Sequence, residues 1–584
     1  MLKLYETAVH ILVEATPGEC DQLVEEFQFK PNGYYFAPSY ERFIASKGKE
    51  GWDGFIRPVR RISHTGCKAL RGRLGDILKW AEDNDFEVDT EKMLPSPFKH
   101  LTFDDIEPDI VAGDFELDDH QRRCILGWLT NNMGIAQVTV SGGKTVMFAG
   151  AAAFIKRHYP KRAILYITPS ERLVRQSTKE MKKFLPSMDV GQFGGGHFKH
   201  DAKDMVVCTM AMLNRHFMEL EAKNWFRRFV AVFFDESHHA GSKTSQKVLE
   251  AIPAFFRFGA SDTTKEKDER RWNDIRGLFG PVINVVKAAP LMKVGRIAKP
   301  HIYIVDVESW NNRYEAVSHK PLLNSKAFAL IGDEWKQGKY LGPVHEMDES
   351  GELVTKPVKT AIKDEQDKWI VEDQPIIVTG LHRIELEGEE HHIPSRWCLL
   401  DRAYDRCIIQ FRERNDAIVK WAAHYSKKGW PTVVVCTRTL HVYILESLLQ
   451  KAVNPELVDI LIGKDTPKAR DECFDWFRST PGSILITPLV KEGVSINEIK
   501  AGVVADYCAD WEVANQLVGR FIRQKKGKDN SASITWFRDR QHPILRRGCN
   551  TVFQNLFQIE GYHFYDPAPA DPAMLDAQGE LCLV

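Results

Sequence analysis

The sequence predicts an α/β fold: two lobes with parallel sheets, a small α+β domain ahead of them and a β-rich insertion between them. Three observations carry this. Short runs apolar on both faces recur between helical stretches from about 115 to 305 and again from about 401 to 561, as strands buried in a parallel sheet do. Residues 1–105 and 306–400 break that rhythm. The 584 residues exceed the roughly 250–300 at which a single core stops growing, so several domains are expected.

In residues 1–105, TAVHILVEA alternates as a half-buried strand does, and GDILKWAEDNDFEV has the pattern of a helix running into a turn. Pro95 to Asp114, with clustered Pro and Asp, is expected to be a linker. In residues 115–305 the buried strands are AILYITP, DMVVCTM, FVAVFFDE, AFFRFGAS and PHIYIVDV. Residues 306–400 hold 18 Asp+Glu against 11 Lys+Arg, with strand-like pieces GELVTKPV and QPIIVTGLHRIELEGEEHHIP. Such an acidic insertion is repelled by a duplex and suits a protein partner, a wedge or a lid. His391 and His392 are adjacent, so on a strand they point to opposite faces, which argues against a metal site. The second α/β stretch, 401–561, contributes TVVVCTRT, LVDILIG, SILITP, AGVVADY and SASITWF. The Pro/Ala/Asp-rich tail, 562–584, is expected to be loosely ordered.

Composition narrows the classes. Hydrophobic residues make up 43% and charged residues 27%, as in folded domains rather than disordered chains. The formal net charge is -1, so any nucleic-acid partner must be met by a local patch. Eleven cysteines without a C-x-x-C pair argue against a zinc ribbon and point to reduced thiols in a cytoplasm. No signal-peptide pattern opens the chain, and it lacks the run of about 18 apolar residues that a membrane span needs.

Three constellations carry chemistry. VTVSGGKTV lies between a strand-like GIAQVTV and a strongly helical KTVMFAGAAAFIKRHY. Strand, small-residue loop and helix form a phosphate cradle, because backbone N–H groups and the helix dipole face the anion. Ser141, Gly142 and Gly143 would supply the loop, Lys144 would reach phosphates, and the Thr145 hydroxyl would ligate Mg²⁺. The alternative is an ordinary turn before a core helix. Next, FVAVFFDESHH places Asp235 and Glu236 directly after an apolar run. There Asp235 would hold the metal and Glu236 would polarise a water; the alternative is a solvated strand end. Finally, QLVGRFIR brings Gln516, Arg520 and Arg523 together. Arginines at i and i+3 share a helix face and can meet a γ-phosphate, or simply form a basic, solvated face.

These motifs in this order resemble the superfamily-two helicases and translocases, over about residues 115–525. The resemblance implies two RecA-like P-loop lobes facing each other across an ATP- and Mg²⁺-binding cleft, and movement along a nucleic acid. It implies that Gln121 contacts adenine and that Gly493 joins the nucleotide site. His238, Ser261 and Thr263 would couple hydrolysis to movement. Thr168, Pro169, Thr209, Thr437, Arg438 and Thr487 would contact a nucleic-acid strand. Two departures stand out: Ser141 replaces a common glycine of the loop, and Asp262 replaces a small residue of the coupling motif. Val138 is no departure, since such loops resemble A-x-x-G-x-G-K-T.

The N-terminal EEFQFKPNGYYFAPSYERF…GWDGFIRPVRR and the later KFLPSMDVGQFGGGHFKHD resemble phage UvsW-type recombination helicases. That implies DNA as the partner, in branched, duplex or single-stranded form, an N-terminal DNA-binding domain, and a host-cytoplasmic location. Independently, Arg57, Arg60, Arg61, Lys68, Arg71 and Arg73 occur between Gly54 and Gly75 with no carboxylate among them, a candidate phosphate-facing surface. Nearby aromatics could stack on bases or fill a small core.

Overall fold

The computed structural model describes residues 1–32, 34–47, 49–112, 116–194, 197–199, 201–262, 268–307, 326–331, 334–345, 347, 355–363, 369–377, 379–394, 404–463, 465–488, 499–523, 530–540 and 543–574. The chain forms two compact units, Met1–Lys287 and Ala288–Val584.

Unit 1 opens with a five-stranded sheet. Its strands are β1 (Leu2–Glu6), β2 (His10–Glu14), β3 (Val59–Ser63), β4 (Gly66–Leu70) and β5 (Val88–Lys92), in the order β3-β4-β2-β1-β5. Alternation directs Leu2, Leu4, Ile11 and Val13 to one buried face. The helices Pro17–Phe27 and Leu74–Asp83 cover it with Cys20, Leu23, Ile77 and Trp80. Thr16 starts the first of these with a capping box to Glu19.

The second sheet of unit 1 has the order β13-β6-β12-β11-β7-β10-β8-β9. These are β6 (Met133–Val138), β7 (Ala163–Thr168), β8 (Val190–Gly194), β9 (His197–Lys199), β10 (Met205–Thr209), β11 (Phe229–Asp235), β12 (Phe256–Ser261) and β13 (Val282–Val286). All its pairings are parallel except β8–β9. Both faces are buried, which is why these strands are near-continuous apolar runs. Across one face Trp128, Phe148, Phe233 and Phe258 stack with ring centroids 5.0–5.5 Å apart, and this packing seats the helix Lys144–His158.

Unit 2 holds a seven-stranded, wholly parallel sheet, β22-β23-β21-β24-β25-β14-β26. Its strands are β14 (Lys299–Val307), β21 (Thr432–Val435), β22 (Val458–Ile460), β23 (Ile484–Thr487), β24 (Ala501–Val504), β25 (Ser531–Asp539) and β26 (His563–Ala568). The insertion forms an antiparallel sheet of β15 (Lys326–Ile331), β16 (Glu334–His345), β19 (Thr379–Leu386) and β20 (Glu389–Pro394), and a hairpin of β17 (Thr355–Lys363) and β18 (Trp369–Ile377).

Three expectations are corrected. PHIYIVDV, expected in the first lobe, is β14 and pairs along its whole length with β25 of unit 2. The expected linker contains a helix, Phe103–Ala112. The tail is partly built into the sheet: β26 pairs with β14, and Arg538 holds both Asp306 and Asp566. Among the described residues no helix is long and apolar enough to cross a membrane.

Candidate active site

Strand order brings the first-lobe motifs together. β12 lies between β6 and β11, so the loop after Val138, the Asp235–Glu236 pair and Ser261–Asp262 emerge at neighbouring C-terminal strand ends. That edge is where parallel sheets bind ligands. The loop turns twice through left-handed backbone, at Ser141 (φ 66) and Gly143 (φ 86). The left-handed backbone favours glycine at 143, and a Cβ there would also push the Gln121 amide out of its place. Gln121 is held as the third helical residue of a capping box, its Oε1 accepting from the Asp118 N–H at 2.9 Å. Its Nε2 donates to the Gly142 carbonyl at 3.4 Å, and His120 Nε2 lies 2.9 Å from that oxygen. The loop, Ser141–Gly142–Gly143, and the Gln121 element therefore form one structure. Lys144 and Thr145 are the first residues of the helix that follows.

Lys144 Nζ reaches across to Glu236 Oε1 at 2.5 Å. Burial pushes the Asp235 carboxyl up to about 6, with the Lys144 ammonium pulling the other way. Burial would also raise Glu236, but Lys144 and His238 outweigh it and hold the group below the usual carboxylate range. His238 Nδ1 lies 2.8 Å from Ser261 Oγ and 3.5 Å from Glu236 Oε2. Burial pushes its imidazole down to about 4, so it is neutral at pH 7. Ser261 Oγ in turn donates to Glu236 Oε2 at 3.4 Å. Glu236, His238 and Ser261 are thus one linked cluster joining the ends of β11 and β12. Asp262 is buried beside it, and ligand atoms of Glu236, His238 and Asp262 lie within 4.8 Å of one another. Thr263 and Gly493 lie outside the described residues.

Thr168 and Thr209 end β7 and β10 in register with each other. Both are buried; Thr209 caps the next helix through the Met212 N–H, while Pro169 is exposed. In unit 2, Val435 of β21 is in register with Thr487 of β23. Thr437 Oγ1 lies 3.3 Å from the Tyr404 hydroxyl, and the Arg438 guanidinium sits 5.4 Å from the Tyr404 ring centroid. Tyr404 also donates to Asp506, whose carboxyl burial pushes up to about 7. Tyr404 and Asp506 were missed from sequence. Asp506 carried a usable signal, an acid just beyond the apolar run AGVVA; Tyr404 carried none. Gln516 and Arg520 share a face of the helix Trp511–Phe521. That helix ends before Arg523, whose backbone instead bridges Ile297, so the expected two-arginine helix face does not exist.

The basic N-terminal run divides. Arg71 and Arg73 are buried: Arg71 pairs with Glu6, and Arg73 with Asp76. Both hold the small sheet against the second sheet of unit 1, through the Phe255 and Asn273 carbonyls. They leave the candidate phosphate-facing surface. Arg57 pairs with Asp53 and Arg61 with Asp21. Among the described residues Arg60 makes no close ion pair but acts on the Asp274 carboxyl, and Lys68 acts on Glu250.

Residues 114–266 match the family model described as type III restriction enzyme, res subunit. No curated protein matches the chain. Among solved structures it is similar to the UvsW helicase from bacteriophage T4: 21% identity, TM-score 0.41, 48% of this chain and 99% of that one. A second T4 UvsW structure gives 16%, 0.40, 97% and 98%. A fragment of a putative HsdR subunit of a type I restriction enzyme from Vibrio vulnificus YJ016 gives 14%, 0.48, 90% and 92%. Likeness at that level assigns no residue a role. On its ordered motifs, its two α/β units and the family match over 114–266, the chain resembles the superfamily-two helicases and restriction-enzyme motors.

Proposed function

We propose that the chain is an ATP-dependent DNA helicase or translocase acting on branched or duplex DNA in phage replication, recombination and repair. The observation that carries this is the joining of three motifs at one sheet edge: the Gln121-braced loop, the Lys144–Glu236 pair and the Glu236–His238–Ser261 cluster. The loop fits a phosphate chain, since its two left-handed turns precede a helix N-terminus and a half-buried lysine. Gln121 is suited to adenine and Lys144 to the β/γ-phosphates. Thr145 and Asp235 have the oxygen donors that Mg²⁺ takes. When bound, the metal supplies positive charge that offsets the phosphate oxygens.

Glu236 is the group to orient the attacking water. Its depressed pKa keeps it ionised, and its bonds to Lys144, Ser261 and His238 fix its position. His238 and Ser261 carry a change at that carboxylate into β12. For the second unit, Gln516 and Arg520 are proposed to assist hydrolysis, and Thr437, Arg438 and Thr487 to contact the strand with Thr168, Pro169 and Thr209.

The test is ATP turnover with branched DNA, duplex DNA and RNA. DNA stimulation is expected, with branched DNA strongest; Glu236→Gln should slow turnover by about 10²–10⁴-fold and leave nucleotide binding intact. Unchanged DNA-stimulated turnover in Lys144→Ala and Glu236→Gln would end the motor reading. The restriction-type family match favours a second reading, a double-strand DNA translocase that does not separate strands. Strand-displacement against triplex-displacement assays on the same protein separate the two.

A further inference from the structure

All of β7 is buried. Its alternate residues Ile164 and Tyr166 belong to the apolar layer that the helix Lys144–His158 covers, with Ala231 and Phe233 of β11 in the same layer. Tyr166 is in register with Phe233, and its ring centroid lies 5.2 Å from that of Phe148. Phenylalanine would fill this place at no polar cost. Tyrosine instead carries a hydroxyl into a wholly buried position, where a polar group without a hydrogen bond costs free energy.

The groups around that hydroxyl are polar. Among the described residues it makes no hydrogen bond of good geometry. Yet the Thr145 and Ser177 hydroxyls lie close enough to act on it, and Asp235 and Glu180 bear on it electrostatically. Three segments supply these groups. Thr145 is in the first turn of the helix Lys144–His158, Ser177 and Glu180 are three residues apart on Glu171–Phe184, and Asp235 ends β11. Asp235 follows Phe233 by two residues, so strand alternation keeps it on the Tyr166 face. Glu180 is already engaged, accepting from Gln176 Nε2 at 2.8 Å.

A threonine hydroxyl that gives a lone pair to a cation still has a proton to donate, and a buried one needs an acceptor for it. A tyrosine oxygen is such an acceptor, and its own O–H can then donate to a carboxylate. We propose that Tyr166 is a positioning residue for Thr145 and Asp235: its oxygen accepts the Thr145 proton and its own proton goes to the Asp235 carboxylate. Thr145 then keeps a lone pair for the cation, and the carboxylate is held in place. This rests on the reading of the loop as an ATP- and Mg²⁺-binding site. The residue acts through Thr145 and Asp235, not on the nucleotide. Its buried hydroxyl lowers the stability of the nucleotide-free protein, and filling the site relieves that cost.

The test measures binding of a fluorescent ADP to the full-length protein, with excess Mg²⁺ and with EDTA. It compares the parent, Tyr166→Phe, Thr145→Ala and the double variant. With Mg²⁺, Tyr166→Phe should bind about fivefold more weakly, the worth of one hydrogen bond. In EDTA it should bind as the parent does. Thr145→Ala should lose the gain that Mg²⁺ brings, and adding Tyr166→Phe to it should cost nothing more. Without nucleotide, Tyr166→Phe should melt at a higher temperature than the parent, because the ring still fills its space and the buried hydroxyl is gone. A hydroxyl with a purely structural role gives the opposite: a lower nucleotide-free melting temperature and equal loss of affinity with and without Mg²⁺. That result, parental affinity of Tyr166→Phe with Mg²⁺, or additive losses in the double variant would overturn the proposal. A parent that binds no ADP in either condition would end the ATP-site reading and this proposal together, whereas failure of Tyr166→Phe alone leaves that reading standing.

Discussion

Ser141 is a non-glycine residue at φ 66 in the middle of the candidate phosphate loop. Left-handed backbone costs an L-residue about 1–2 kcal/mol, whereas glycine adopts it freely and loses about 0.5–1 kcal/mol to its greater unfolded freedom. Ser141→Gly should therefore keep ATPase activity and hold stability within about 1 kcal/mol, checked by steady-state turnover and denaturant midpoint. Lys144→Ala should abolish turnover. Asp235 has a pH signature of its own. Its folded pKa of about 6 lies above the ordinary value near 3.9. The neutral carboxyl thus stabilises the fold fully below about pH 4, and that contribution is lost as pH rises through 6. Asp235→Asn should raise the nucleotide-free melting temperature at pH 8 and leave it unchanged below about pH 4. Protons compete with Mg²⁺ for this carboxyl, so wild-type hydrolysis should need more Mg²⁺ in acid than at pH 8.

At the scale of elements, the buried Arg414–Asp539 pair ties the helix Arg412–Lys427 to the end of β25, and Arg414 also donates to the Ala505 carbonyl beyond β24. Arg414→Leu should cost about 3–5 kcal/mol, since it leaves a buried carboxylate without its cation; a denaturant titration measures this. Gly72→Ala should cost about 1–3 kcal/mol or more, because its obstacles are backbone carbonyls that cannot swing away. Limited proteolysis should then release the N-terminal sheet. Parallel strands such as FVAVFFD were legible because burial on both faces makes them uniformly apolar. Asp235 and Glu236 were legible because they interrupt that run at its end. What failed were inferences from local charge. Arg71 and Arg73 look like surface cations in sequence, yet Glu6 and the Phe255 and Asn273 carbonyls come from far along the chain. Arg523 follows a helical pattern that an isolated bridge to Ile297 cuts short.

At the scale of the molecule, two compact units predict two unfolding transitions. ATP with Mg²⁺ should raise that of unit 1 by mass action, and Lys144→Ala should remove the shift, both visible by calorimetry. The unit boundary was illegible because β14 has the same apolar composition as its neighbours in sequence; only its pairing with β25 assigns it. The insertion therefore interrupts unit 2 after that unit's first strand, rather than separating the two lobes.

β26 covers the flank of β14, which is otherwise a sheet edge with unused backbone donors and acceptors. Trimming the chain at Gly561, which the Pro/Ala/Asp-rich composition beyond it invites, would bare a nine-residue parallel strand. It would also strip Asp566 from Arg538. Such a recombinant product would be prone to self-association through that flank, so expression boundaries belong beyond Met574.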